Sequence, residues 1–497
     1  MGNVSKQNGK GAALILLLLY AGVGACMGTC FLQGEGAAKS YPLDDAWIHM
    51  VYARNMIEGD LFSYNDSDPE AGFTSPLWLA CMTCLHFFTE SVFAPKILGL
   101  IFLILLAFMA GRYGGWLAGL LLLLDPLLCF SALSGMEITL FTFLCVLSLE
   151  RFHHGRYGQA GWAAAGALLS RPEGLVLAGV LVLFSLPLKE HRGERLKQTA
   201  LVIYPSILAA GSWVALCLAI SGRPFPNTFY AKVLWVNPAD AGGLAEILKR
   251  LLFDFDGLLA QGGDLFPWVV LVPLLILIIR NPVQPVWILL LLTLGLFLGT
   301  WVTRPVLKID AFYWTRYFIP ALAGLYLMAG MGIRYLSKSD HFILSVSGWI
   351  VGLLIAGGLL WNTDRISDLY ERNCRDIARY NIAAGKWLAQ HTSTDERIAV
   401  LDAGAIKYFS GRTLIDLAGL NDGRLLDLSG LEKNLDTGDP AALALHFKAD
   451  WLVLFQRHFS GNPNFNTFHK ISYRDYSLYI IPETFTLLIL KKEPFGN

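Results

Sequence analysis

GAALILLLLYAGVGACMGTCFL, residues 11–32, runs for twenty-two positions without a charge, and a helix needs about 20 apolar residues to cross a hydrocarbon core. VWILLLLTLGLFLGTWV at 286–302 and FILSVSGWIVGLLIAGGLLW at 342–361 repeat the pattern. Across 497 residues, 55% are hydrophobic and 16% charged, whereas soluble domains carry about 25% charge. The chain therefore reads as a polytopic helical membrane protein, with the lipid bilayer as its solvent. Thirty-nine basic residues balance thirty-nine acidic ones, so no global field argues for nucleic acid, and the position of each charge carries the information.

Lys6 and Lys10 precede the first apolar run, which places the N-terminus in the cytoplasm by the positive-inside rule. The run is longer than a signal-peptide core, so the VGAC box at Val23–Cys26 is read as part of an uncleaved first helix. Residues 33–91 then form a large outer loop, in which SPLWLACMTCLHFF is short for a span and is expected to lie at the interface. Spans follow at 92–112, 114–132 and 137–151, then a hairpin of two short helices over 158–187 with Arg171, Pro172 and Glu173 at its tip. Arg112, Arg151, Arg156 and the stretch KEHRGERLK (189–197) mark the inner ends. After a span at 199–220 comes a second outer loop, 221–265, with an interfacial helix expected at EILKRLLFDFDGLL. Further spans near 266–280, 284–303, 316–336 and 342–361 bring the count to about eleven helices.

From 362 onward hydropathy falls. RIAVLDAG, TLIDLAG, WLVLF, YSLYII and TLLIL read as strands, with a helix near Ala441–Phe447, giving a soluble α/β domain over 362–497. An odd number of spans places that domain outside, opposite the N-terminus. Of eight cysteines only Cys374 falls in it, so it forms no internal disulfide. The Cys81–Cys84 pair has no second pair to complete a zinc site.

The outer loops hold polar residues that a purely structural helix does not need. In YPLDDAWIHMVYARN (41–55), Asp44 and Asp45 follow Pro42 at a helix start, and Ala46, Met50, Ala53 and Ile57 recur on one face. That predicts an amphipathic helix whose acidic end sits at the membrane surface, with an aspartate capping it. One carboxylate suffices as a cap; the other is either paired with a cation or a general base. Arg54, Arg171, Lys232, Arg304, Lys308 and Arg316 are the outer cations suited to a phosphate, with interfacial snorkelling the alternative and the better reading of Lys308. Arg171, in an apolar stretch, needs a partner, and Glu137 and Glu173 are the nearest choices. The adjacent carboxylates Asp44 and Asp45 also suit a divalent cation, Mg2+, Mn2+ or Ca2+.

Taken in order, DDAWIHMVYARNMIEGD (44–60), GFTSPLW (72–78), SGMEITLF (134–141), LLSRPEGL (168–175), PNTFYAK (226–232), TRYFIPAL (315–322) and DAGAIKYFSGRTLIDLAGLND (402–422) resemble a bacterial family of GT-C glycosyltransferases similar to the terminal arabinofuranosyltransferases of mycobacterial cell walls. The resemblance runs across nearly the whole chain. It implies a GT-C-like transmembrane catalytic domain over 1–361, a polyprenyl-phosphate sugar donor, a glycan or glycolipid acceptor of the cell envelope, and inverting transfer on the periplasmic face of the bacterial inner membrane. It also implies that Asp44 is the catalytic base, with Asp45 beside it. Arg171, Glu173, Glu137, Asn227 and Lys232 match cavity-lining motif positions, and the other polar residues of these motifs, His49, Asn55, Thr74, Ser75 and Tyr230, are candidates to line the same cavity. The sugar is not legible. A lipid-linked sugar flippase or transporter is the competing reading, since buried charges are expected there too.

Overall fold

The computed structural model describes residues 2–186, 192–235, 266–280, 283–302, 315–431, 440–455, 476–480 and 487–492. The chain folds as two compact units, each built from separated segments: 1–34, 93–213 and 236–371 in the first, 35–92, 214–235 and 372–497 in the second. The first outer loop falls in the same unit as the C-terminal residues.

The first unit is helical. Five helical stretches of the described chain are long and apolar enough to cross a membrane: Gly11–Leu32, Phe93–Gly114, Gly193–Ser221, Ile319–Ser337 and Phe342–His391. Shorter apolar helices accompany them, including Gly174–Ser185 and Gln284–Thr300. Large apolar side chains stand open on the outward faces, among them Leu18, Ile279, Phe342 and Leu353. So much exposed apolar surface is stable in lipid and not in water, and the chain is a multi-pass membrane protein.

Two local signals shape this unit. The single span expected at 114–132 is two helices, Trp116–Leu124 and Pro126–Ala132, because Pro126 cannot continue the first and starts the second. Asp125 caps that start, its Oδ1 accepting from the Leu128 N–H at 2.8 Å. The hairpin expected at 158–187 is present as Tyr157–Ser170 and Gly174–Ser185, turning at Arg171–Glu173.

The second unit carries helix Asp45–Ile57, a short hairpin of β1 (Ser63–Asn65) and β2 (Asp68–Pro69), helix Pro76–Phe88 and helix Asn227–Trp235. Its C-terminal part is a five-stranded sheet of β3 (Arg397–Val400), β4 (Thr413–Asp416), β5 (Trp451–Phe455), β6 (Tyr476–Ile480) and β7 (Leu487–Lys492), in the order β4-β3-β5-β7-β6. β3 runs parallel to both β4 and β5, while β7 pairs antiparallel with β5 and β6. Parallel neighbours require crossovers, supplied by helices Ala405–Ser410, Arg424–Leu431 and Pro440–His446. Ala399, Ile415, Leu452 and Leu454 fill the core under the sheet.

Helix Asp45–Ile57 differs from expectation. Every residue from Ala46 to Ala53 is buried, as is Asn55, so the helix is enclosed all round instead of lying at a surface. Trp47 packs against Tyr41, Tyr408 and Phe409 at centroid distances of 4.9–5.0 Å. The helical interface segment predicted at 246–259 lies outside the described residues.

Candidate active site

Asp44 does not cap its own helix. Its backbone is already helical, and its carboxylate makes no bond to the following turn. It reaches instead to the DAG turn that leaves β3: the Gly404 N–H donates to Oδ2 at 2.7 Å and the Ala405 N–H to Oδ1 at 2.9 Å. These amides open helix Ala405–Ser410, so the aspartate serves as a capping acceptor for a helix some 360 residues away in sequence. Asn381 Nδ2 completes the clamp, donating to Asp44 Oδ1 at 3.1 Å and to Asp402 Oδ2 at 3.3 Å. Two carboxylates thus share one amide.

Burial pushes the Asp44 carboxyl up, the Asp402 charge adds to it, and the two backbone N–H bonds pull it back down, leaving it at about 7. A carboxylate poised there exchanges a proton near neutral pH, which is what a general base requires. Gly404 is obligatory at this place: a Cβ there would meet the Asp44 carbonyl oxygen at 2.1 Å. The clamp stands at the carboxyl end of β3, between two parallel neighbours, where open α/β sheets commonly place their sites.

The next acidic turn, DLAGLND at the carboxyl end of β4, is built the same way. Asp416 accepts from the Ala418 N–H at 3.0 Å, the Asn421 N–H at 2.8 Å and Asn421 Nδ2 at 2.9 Å, and Gly419 takes the positive φ of 71° that the turn needs. Burial raises the Asp416 carboxyl to about 6 against those bonds. Tyr52 OH donates to Asn421 Oδ1 at 3.3 Å. Glu70 accepts from the Gly423 N–H at 3.0 Å and from Asn227 Nδ2. Thr228 Oγ1 donates to Gly72 O at 3.0 Å, and the Asn227 N–H to Ala71 O at 2.9 Å. Motifs far apart in sequence, GFTSPLW, PNTFYAK and DLAGLND, are therefore one hydrogen-bonded assembly.

The other residues singled out from sequence fall into three groups. Near Asp44, Arg54 donates to Tyr408 O at 2.9 Å and lies 4.6 Å from the Tyr408 ring, so its guanidinium fastens helix Ala405–Ser410. Asn55 donates to Ser63 O at 2.9 Å and Tyr64 O at 3.3 Å, holding β1. His49 and Ser75 are buried, Asp45, Thr74 and Tyr230 half-buried, and Lys232 lies in helix Asn227–Trp235. The second group sits in the helical unit, where Arg171 Nη1 donates to Glu137 Oε1 and Nη2 to Glu173 Oε1, both at 2.8 Å. Both carboxylates weighed as partners are engaged. Tyr317 lies between two arginines, its ring 5.1 Å from the Arg171 guanidinium and 4.8 Å from that of Arg316, whose Nη2 also donates to the Tyr317 hydroxyl at 2.9 Å. The third group is Arg304, which lies outside the described residues.

For a divalent cation at the Asp44–Asp45 pair, Asp44 Oδ1 already accepts two N–H bonds, while Oδ2 accepts one and keeps a lone pair. Among the described residues no three His, Cys, Asp or Glu side chains come together to hold one.

Asn381, Asp402 and Gly404 escaped the sequence reading as partners of Asp44. The signal available was the DAG turn itself, a strand end with an acid and a glycine, without any mark of what it faces.

Comparison with solved structures places the fold. ArnT from Cupriavidus metallidurans in the apo state superposes with a TM-score of 0.63 at 14% identity, over 96% of this chain and 98% of that one. The same protein bound to undecaprenyl phosphate gives 0.63 at 13%, over 95% and 97%. The fold is that of the GT-C glycosyltransferases. A second GT-C structure, the archaeal oligosaccharyltransferase AglB from Archaeoglobus fulgidus in complex with an inhibitory peptide and a dolichol-phosphate, gives 0.56 at 11%, over 96% and 75%. Residues 368–488 match a family described as a domain of unknown function, DUF8728. No curated protein sequence matches the chain.

Proposed function

We propose that this protein is an integral membrane glycosyltransferase that moves a sugar from a polyprenyl-phosphate donor to a glycan or glycolipid of the cell envelope, with Asp44 as general base. The observation that carries the reading is the Asp44 clamp: a carboxylate held by Gly404, Ala405 and Asn381, beside Asp402, with its pKa raised to about 7. The fold shared with a protein bound to undecaprenyl phosphate and another bound to a dolichol-phosphate supports the donor class. In the reaction Asp44 takes the acceptor hydroxyl proton as the new bond forms at the anomeric carbon. The bond to phosphate breaks on the opposite side with its electron pair left on the phosphate oxygen, which inverts the centre. Arg54, Arg171, Lys232, Arg304 and Arg316 are the cations in this reading that hold the phosphate; Arg54 has one N–H, on Nη1, bonded to Tyr408 O and its other donors open to a ligand. About eleven crossings of the bacterial inner membrane, a cytoplasmic N-terminus and a periplasmic C-terminal α/β domain complete it.

The pH dependence follows from the clamp. A base is active when ionised, and Asp44 carries a proton below about 7. Transfer rate is therefore expected to be full above that value and to fall tenfold per unit as pH drops below it. Initial rates between pH 5 and 9 test this, and a rate still flat at pH 5 contradicts a base with this pKa.

Gly404→Ala forces the turn off Asp44, because the new methyl overlaps the Asp44 carbonyl. A displacement of about 1 Å at a reacting group costs on the order of 100-fold. Single-turnover transfer is expected to drop by roughly that factor, while Gly193→Ala, where a Cβ meets nothing within 4 Å, keeps the wild-type rate.

A further inference from the structure

At the opposite end of the helical unit from Arg171, helices leave an open cavity of about 420 Å³. The two ends are set by helix Ile138–His153: Glu137, bonded to Arg171, precedes it, while Glu150 in its last turn lies 3.4 Å from Arg112. Glu137 and Glu150 are thirteen positions apart on this helix, about 20 Å along its axis. Arg112, Arg334 and Lys338 line the cavity with Ser337, Trp116 and Trp349, and no acid lines it among the described residues. Glu150 stands behind, 2% exposed, and is already flanked by Arg112 and Arg151 at 3.4 Å each. With Arg112 facing Glu150, Arg334 and Lys338 leave the cavity with net positive charge.

Its construction is specific. Gly115 takes a φ of 109°, and a Cβ there would come within 2.8 Å of Arg334 Cδ, so the glycine lets the arginine side chain cross the turn. Trp116, at the start of its helix, and Trp349, in the first half of helix Phe342–Trp361, face each other at 6.1 Å between centroids, half-exposed, and indoles are enriched at the headgroup level of a bilayer. Beyond Trp349 the face of helix Phe342–Trp361 is open apolar surface, with Ile350 and Leu353 exposed. A soluble anion has no use for that surface; an acyl chain does.

We propose that this cavity binds the headgroup of an anionic phospholipid in the leaflet at this end, the phosphate meeting Arg334, Lys338 and Arg112 while the acyl chains run down helix Phe342–Trp361. The site is independent of the proposed transfer reaction. It calls for native mass spectrometry of the full-length protein released from nanodiscs of equal phosphatidylglycerol and phosphatidylcholine. Wild type is expected to retain phosphatidylglycerol over phosphatidylcholine by about tenfold or more, the factor that two cations attracting one headgroup supply. Arg334→Gln with Lys338→Gln should abolish that preference, and the charge-preserving exchange Arg334→Lys with Lys338→Arg should keep it, which separates lost charge from lost folding. Equal retention of both lipids by wild type, or an unchanged preference in the neutral pair, overturns the proposal. So does displacement of phosphatidylglycerol by millimolar inorganic phosphate, which would make this a site for a soluble anion.

Discussion

Asp44→Asn is expected to lower sugar transfer by about 100- to 10,000-fold, the contribution of a positioned general base, while leaving the protein folded. Asparagine matches the shape of the carboxylate, and its one oxygen still accepts from one of the two amides, Gly404 or Ala405. The other amide loses its acceptor at a cost of about 1–3 kcal/mol, partly offset because a charge raised to a pKa of about 7 is no longer held beside Asp402. Asp45→Asn changes no bond of the clamp and is expected to cost less than tenfold. Asp402→Asn removes the neighbouring charge, so the acidic limb of the rate profile should move to lower pH, with Asp44 still the base. Rates that fall equally in the Asp44 and Asp45 variants would argue against assigning the base to Asp44 alone.

Arg171→Met is the change expected to cost most stability. Its guanidinium holds Glu137 and Glu173 at 2.8 Å each and is 6% exposed, with Glu137 at 5%. Removing the cation leaves Glu137 buried without it, beside the half-buried Glu173, and breaking a buried pair from one side costs about 3–5 kcal/mol. A thermal-shift or urea titration in detergent should show that loss. Glu137→Gln and Glu173→Gln added to Arg171→Met leave no buried charge, and most of the stability should return. If the single variant unfolds at the wild-type midpoint, the triad is no structural ion pair.

These two clusters differ in how far the sequence revealed them. Arg171, Glu173 and Glu137 stood out because lipid tolerates a charge only with a partner, so a charged tripeptide in an apolar run advertises itself. The long spans were legible for the same reason: a bilayer demands uninterrupted apolar runs, and 11–32 or 342–361 satisfy it by composition alone. Asp125–Pro126 carried an equally local signal for its helix break, yet the apolar run around it reads as one span. Asp44 is the harder case. Its doublet was visible, but capping of the following helix was the local inference, and the N–H groups that donate to its carboxylate lie at Gly404 and Ala405. No periodicity reports a partner 360 residues away, which is also why the packing of 35–92 with the C-terminal residues was missed. Arg54 shows the converse, an outer cation plain in the sequence whose Nη1 meets a carbonyl, Tyr408 O, that nothing near it in the sequence marks.

The most direct test is transfer itself. Purified protein in lipid vesicles is given a panel of labelled polyprenyl-phosphate sugars and cell-envelope acceptors, with Asp44→Asn in parallel. Labelled acceptor with inverted configuration is expected from the wild type with at least one donor, and none above background from the variant. Folded wild type that transfers no sugar from any donor, yet carries labelled lipid across the vesicle membrane, would contradict it and establish a flippase in its place.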